Sequence, residues 1–427
     1  MVTTAYVNIW GKRVGAVAWN PGTELASFQY DPKFPLDTLN LAPIKMPEKS
    51  QIYSFPQLRE SETFNGIPGL LADSLPDRYG KELINSWLAR QGRPADSLNP
   101  VELLCFIGKR GMGALEFEPV TYKETGSYEV EISDLIEVSK ALLEKKKEII
   151  INTTRNMEDV MMDILKMGTS AGGARPKAII AYNEKTGQIK SGQTTLDPGF
   201  EHWLIKFDEV SDVQFGAFKG YGRVEMAYYK MAIGFGIEMM ESRLIEENNR
   251  THFMTKRFDR KNGDKIHSQT FCAIQHYDFA HITSYSYEQL FQTMRQLRLT
   301  YAEAEQMYRR MVFNVIARNC DDHTKNFAFL MDKTGKWSLA PAYDLCFAYR
   351  PGSVWVSQHN LSINAKRKDF TRDDLLRVAE QNSIRSPNKI IDECIAVVKK
   401  WRYYANDFDV DSNKINAIDS VLIKELS

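Results

Sequence analysis

The sequence predicts an α+β chain in two lobes, with a β-rich N-terminal subdomain and a mainly helical C-terminal lobe. Three observations predict it. Apolar and polar residues alternate through the first thirty positions. Short apolar runs bounded by turn residues recur after about residue 150. From residue 300 onward, long segments carry apolar residues at helical spacing. A chain of 427 residues has length for two or three domains. We expect a β-rich subdomain over 1–120, a part of mixed strand and helix over 121–260 and a helical lobe over 261–427.

Taken in order, "AYVNIW" and "VGAVAW" flank a Gly11-Lys12 turn, and "LASFQY" follows Pro21-Gly22, which makes a small meander. In "PGLLADSLPDRYGKELINSWLARQ", Asp73 or Ser74 is the expected helix cap, with Pro76 in the first turn. "GKRGMG" at 108–113 lacks the lysine-plus-hydroxyl ending of a P-loop, so we read it as a turn or close-packing segment. "LLEKKKE" at 142–148 reads as the solvated face of a helix. "KAIIAYNEKTGQIKSG" predicts a hairpin turning at Gly187, and "HWLIKF" a strand carrying Lys206. A helix through Val224, Ala227, Tyr228 and Met231 stops at Gly234 or Gly236, and "HFMTKRFDR" returns to strand. Thr300 and Glu303 form a capping box for a buried helix, and "NFAFLM" and "KWSLAPAYD" form a hairpin around "DKTG".

Composition narrows the function. Lysine plus arginine equals aspartate plus glutamate at 55 each, so no global positive charge drives nucleic-acid binding, and any DNA contact would be local or come through a partner. Five scattered cysteines without a C-x-x-C pair suggest neither a disulfide framework nor zinc. No apolar segment approaches membrane-spanning length, and the expected compartment is the cytoplasm, with no membrane partner.

The chemistry concentrates in "NCDDHTKNFAFLMDKTGKWSLAPAYDL", residues 319–345. Asp321 and Asn326 are spaced D-x-x-x-x-N between a buried helix and a strand. In protein kinases this spacing lets the aspartate accept a hydroxyl proton while the asparagine holds magnesium. Asp344 follows the hairpin as a second metal ligand. Upstream, Lys206 on a strand and Glu225 on the next helix match the lysine–glutamate pair that orients nucleotide phosphates. "GTSAGGARPK" at 168–177 offers small residues whose N–H groups can approach phosphates, with Arg175 and Lys177 as counter-charges. We expect His323 to orient the loop by hydrogen bonding, Asp322 to face solvent or cap the loop, and Cys320 to pack.

At these residues the sequence resembles the HipA family of bacterial toxin serine/threonine kinases. "RNCDDHTKNFAFL" is similar to its catalytic loop, "LAPAYDL" to its metal segment, "TSAGGARPK" to its phosphate loop and "KRFDR" to its nucleotide-binding strand. The meander and "GKRGMGALEF" resemble its N-terminal subdomain, so the resemblance covers nearly the whole chain. It implies a protein-kinase-like fold using ATP and Mg2+, with Asp321 as proton acceptor and Asn326 and Asp344 as metal ligands. Gly172, Gly173, Ala174, Arg175, Pro176 and Lys177 would form the phosphate loop, and Lys206 would bind phosphate. Lys256, Arg257 and Phe258 would line the adenine, and His323, Thr324, Lys325 and Asn326 would complete the pocket. Ser170 would be the autophosphorylation site. Lys256 departs from the family's acid at that position, and Pro176 stiffens the loop. The resemblance also implies a HipB-like helix-turn-helix antitoxin as partner and a translation protein as substrate, aminoacyl-tRNA synthetases being the precedent. A small-molecule kinase and a catalytically weak co-repressor or binding module are the alternatives.

Overall fold

The computed structural model describes residues 2–121, 132–133, 135–137, 165, 167–168, 176–192, 196–208 and 220–426. The charged stretch at 142–148 lies outside the described residues, as do Ser170, Gly172, Gly173, Ala174 and Arg175. The chain divides into two units. The first holds Met1–Leu41, Met46–Gly222 and Arg243–Ser268; the second holds Ala42–Lys45, Arg223–Ser242 and Gln269–Ser427.

In the first unit, the predicted meander becomes an antiparallel sheet of β1 (Thr4–Ile9), β2 (Lys12–Asn20), β3 (Leu25–Tyr30), β4 (Ile52–Tyr53) and β5 (Leu115–Glu118), in the order β4-β3-β2-β1-β5. Alternation does the sorting: Ala5, Val7 and Ile9 of β1 are buried, as are Ala26, Phe28 and Tyr30 of β3. The first hairpin turns one residue earlier than expected, on Trp10 and Gly11, which both take positive φ (48° and 74°). The Trp10 indole N–H donates to Lys265 O at 2.8 Å.

The helix expected to start at Asp73 or Ser74 starts later. A short turn, Gly69–Ala72, precedes the helix Arg78–Arg90, whose cap is Asp77 and neither Asp73 nor Ser74. Asp77 has the extended backbone a cap needs, and its Oδ1 accepts from Gly80 N at 2.7 Å.

A second sheet runs β7-β6-β8-β10-β9, from β6 (Lys177–Tyr182), β7 (Ile189–Ser191), β8 (Glu201–Lys206), β9 (Ser242–Glu247) and β10 (Arg250–Lys256). Helix Arg78–Arg90 covers it: Tyr79, Leu83 and Leu88 share one core with Ile180, Trp203, Ile205 and Met254. Residues 1–120 and 121–260, expected as separate domains, therefore contribute to a common core.

The second unit is mainly helical. Helix Tyr301–Ile316 is at its centre, with Met307, Met311 and Val315 fully buried as the spacing predicts. Helix Pro387–Val398 packs on it, and the strands Ala328–Met331 and Trp337–Leu339 form the expected hairpin.

Candidate active site

The site is built outward from helix Tyr301–Ile316. Its start is fixed by the capping box of Thr300 and Glu303, and the second oxygen of Glu303 accepts from Leu339 N at 2.7 Å, tying the hairpin to the helix. The helix ends at Ala317, and Arg318 (φ 56°) turns the chain into the polar loop.

Within that loop the Asp321 side chain is about half exposed (45%). Its carbonyl accepts from Asn326 Nδ2 at 2.7 Å, and the Cys320 carbonyl accepts from Asn360 Nδ2 at 2.8 Å. The backbone is thus held on both sides while the Asp321 carboxylate reaches solvent. Asp344 has φ 53°, and its carbonyl accepts from Asn319 Nδ2 at 3.3 Å. The adjacent Tyr343 donates its hydroxyl to Lys325 O at 2.6 Å. Through these bonds the structure brings the D-x-x-x-x-N loop and the Asp344 segment together.

Two expectations about the loop are corrected. Asp322 is neither solvent-facing nor a loop cap. It is 1% exposed, and it accepts from Tyr287 Oη (2.8 Å), His359 Nδ1 (2.9 Å) and Asn360 N (2.7 Å). A buried carboxylate survives only when paired and fully bonded, and these three donors supply that. Burial alone would lower the His359 pKa, but the Asp322 carboxylate raises it to about 10, so the pair is ionic. Nor does His323 orient the loop by hydrogen bonding. Its Nδ1 has no partner among the described residues, its Nε2 is 3.8 Å from Asp321 Oδ1, and its ring packs 5.2 Å from that of Phe279. Cys320 is buried as a packing residue.

Thr324 is buried and donates to Tyr277 O at 2.8 Å, while Lys325 Nζ lies 5.0 Å from the Phe279 ring centroid. Glu225, also in this unit, is 3% exposed on helix Tyr221–Gly234.

The remaining expected site residues belong to the first unit. Lys206 lies on β8, flanked by β6 and β10, so it is not on an edge, and it is buried, with Nζ 5.7 Å from the Phe253 ring. Its cross-strand neighbour is Lys177, whose Nζ pairs with Asp77 Oδ2 at 2.9 Å, both side chains being buried. Pro176 is buried and accepts from Phe207 N through its carbonyl at 3.0 Å. Lys256 pairs with Glu201 at the surface, and Phe258 is half-buried.

Arg257 is held in a buried polar cluster. Its guanidinium makes two bonds to Asp259, at 2.8 and 2.6 Å. Asp259, fully buried, also accepts from Arg260 Nη1 and from Gly113 N, each at 2.7 Å. Arg260 in turn donates to Gly111 O and Gly113 O, and Lys265 to Lys109 O and Glu116. "KRFDR" therefore clamps the "GKRGMG" loop. Gly113 has φ 74°, and a Cβ there would stand 3.0 Å from Ser268 N, so this glycine is a turn and close-packing residue.

A magnesium ion would meet hard oxygen donors here. Asn326 turns its nitrogen onto Asp321 O, which leaves its oxygen to coordinate, and Asp344 supplies a carboxylate. Among the described residues, no group of three or more His, Cys, Asp or Glu is placed to hold a metal. The donor set suits an ion completed by phosphates and water.

The fold is α+β, β-rich at its N-terminus and helical toward its C-terminus. The HipA N-terminal domain matches residues 5–118 and the HipA-like C-terminal domain residues 169–401. The chain belongs to the HipA family. It is similar in fold to HipA of Shewanella oneidensis MR-1, solved as a toxin–antitoxin complex with HipB and operator DNA. That likeness has a TM-score of 0.66 at 14% identity and covers 97% of this chain and 95% of that one. It is also 22% identical over 218 residues to the putative kinase Y4dM of Sinorhizobium fredii. That match spans 47% of this chain and only 50% of the relative's length.

Proposed function

We propose that this protein is an ATP- and Mg2+-dependent serine/threonine protein kinase, the toxin of a toxin–antitoxin pair. The observation that carries the reading is the loop geometry: a half-exposed Asp321 on a pinned backbone, Asn326 turned onto it, and Asp344 tied to the same loop through Asn319.

In the mechanism, Asp321 accepts the proton of a substrate serine or threonine hydroxyl as its oxygen bonds to the γ-phosphorus of ATP. The bond from that phosphorus to the β,γ-bridging oxygen breaks, and the electron pair leaves with ADP. Asn326 and Asp344 would hold magnesium, which when bound would neutralise charge at the phosphates. By the family resemblance, Lys206 would bind nucleotide phosphate and Glu225 would be its orienting residue. Autophosphorylation is proposed at Ser170, and the added charge of roughly −1.5 to −2 would weaken nucleotide binding by the same loop.

A HipB-like antitoxin is the proposed partner, supported by the complex solved for the Shewanella relative. DNA contact would pass through that partner, since the chain's formal charge is zero. A translation protein such as an aminoacyl-tRNA synthetase is the proposed substrate, and the cytoplasm the proposed compartment. Among the described residues, no helix is long and apolar enough to cross a membrane.

Calorimetry with ATP tests the binding half of this reading. Binding should require magnesium and weaken at least tenfold in Asp344→Ala. Equal, negligible binding with and without magnesium by folded protein would overturn it. Phosphopeptide mapping after incubation with ATP should place the mark on Ser170; phosphate found only elsewhere would remove Ser170 from the mechanism.

A further inference from the structure

The buried ion pair of Asp322 and His359 plays no part in the mechanism above, yet it sits one residue from the proton acceptor. We propose that Asp322, His359 and Asn360 form a clamp that aims Asp321, making Asp322 a positioning residue for phosphoryl transfer. The inference rests on the kinase reading and adds to it the group that holds the base in place.

Three elements meet at the Asp322 carboxylate. Tyr287 opens helix Tyr287–Gln296, His359 and Asn360 precede the strand Leu361–Ser362, and Asp322 belongs to the loop itself. Asn360 grips the loop twice, donating its backbone N–H to Asp322 Oδ1 at 2.7 Å and its Nδ2 to Cys320 O at 2.8 Å. The residues on both sides of Asp321 are therefore fixed by a single neighbour. With Asn326 bonded to the Asp321 carbonyl, rotation of this backbone requires breaking bonds at three successive residues.

The network continues to the metal segment. The Tyr287 hydroxyl that donates to Asp322 accepts from Asn314 Nδ2 at 2.9 Å. Asn314 Oδ1 accepts from Asn319 Nδ2 at 2.9 Å, and the same amide donates to Asp344 O at 3.3 Å. One unbroken chain of bonds thus joins the carboxylate beside the base to the backbone of the proposed metal ligand. Three donors satisfy the buried Asp322 carboxylate, and moving it out of their reach makes an alternative loop arrangement costly. A misplacement on the order of 1 Å in a reacting group can cost about 100-fold in rate.

The test uses the full chain with γ-labelled ATP and Mg2+, reading phosphate incorporated into the chain itself, together with amide hydrogen exchange. Asp322→Asn should lower the rate at saturating ATP by about 100-fold while the half-saturating ATP concentration moves less than about threefold. Exchange should accelerate across 319–326 and leave β6, β8 and β10 unchanged. His359→Asn, which puts an amide donor where Nδ1 stands, should keep at least about a tenth of the rate that His359→Ala loses. It also serves should Asp322→Asn fold poorly. Wild-type rates in Asp322→Asn would overturn the clamp, as would a loss of ATP binding equal to the loss of rate with exchange faster throughout the chain. If the wild-type chain transfers no phosphate, the kinase reading fails separately and exchange alone decides: unchanged protection at 319–326 overturns the clamp, and a loss confined there supports it.

Discussion

Replacing Asp259 with alanine should be among the most destabilising single changes in the first unit. The carboxylate is fully buried and accepts four hydrogen bonds, two from Arg257, one from Arg260 and one from Gly113 N. Its removal strands two buried guanidinium groups, and breaking a buried pair in this way costs about 3–5 kcal/mol. The orphaned Gly113 N–H adds to that loss, while existing bonds from Arg260 to Gly111 O and Gly113 O retain part of it. We expect a net loss of about 4 kcal/mol, which lowers the melting temperature of this unit by roughly 10 °C. Urea and thermal denaturation of Asp259→Ala, read on the first unit's transition, measure it directly.

The pH dependence provides a second reading of the same residue. Burial alone would raise the Asp259 pKa, but Arg257 and Arg260 hold it well below the usual carboxylate range. A depressed folded value means that the contribution is complete above the unfolded pKa, about 4, and is lost as pH falls below it. Acidification from pH 5 to 3 should therefore destabilise the wild type more than Asp259→Ala. A loss under about 1 kcal/mol, with the same acid sensitivity in both proteins, would refute the clamp on the "GKRGMG" loop.

Asp77→Asn should preserve the helix cap yet remove the charge that faces the buried Lys177 ammonium, costing about 3–5 kcal/mol by urea denaturation, whereas Asp77→Asn combined with Lys177→Met should recover most of it. The His359–Asp322 pair has the opposite pH sign from Asp259. Because the folded His359 pKa is raised to about 10, its contribution is complete below the unfolded value of about 6.5 and is lost as pH rises through 10. Melting of the second unit should therefore fall between pH 7 and 10 in the wild type and fall less in His359→Asn. Thr300→Ala, which removes one half of a capping box, should cost about 1 kcal/mol by the same assay.

Local signals in the sequence read well where one residue's neighbours decide the outcome. The alternation in β1 and β3, the Thr300–Glu303 box and the Gly187 turn each depend on residues a few positions apart, and each appears as read. The D-x-x-x-x-N spacing is legible for the same reason. Long-range partners are not. Nothing near Asp322 announces that His359 lies 37 positions away, and a pair of adjacent acids invites the solvent-facing reading that burial overturns. Likewise nothing in "KRFDR" announces that Asp259 takes the guanidinium of Arg257 together with that of Arg260. The Asp77 cap also has a partner the sequence hides, Lys177, 100 positions later.

The central claim is that Asp321 accepts a hydroxyl proton during phosphoryl transfer from ATP. The most direct measurement incubates the full chain with ATP and Mg2+ and follows intact mass, with Asp321→Gln in parallel. The account predicts that the wild type gains phosphate while the folded variant, still binding ATP, gains it orders of magnitude more slowly. Phosphate incorporated equally by both proteins, or by neither while both bind Mg-ATP, would contradict it.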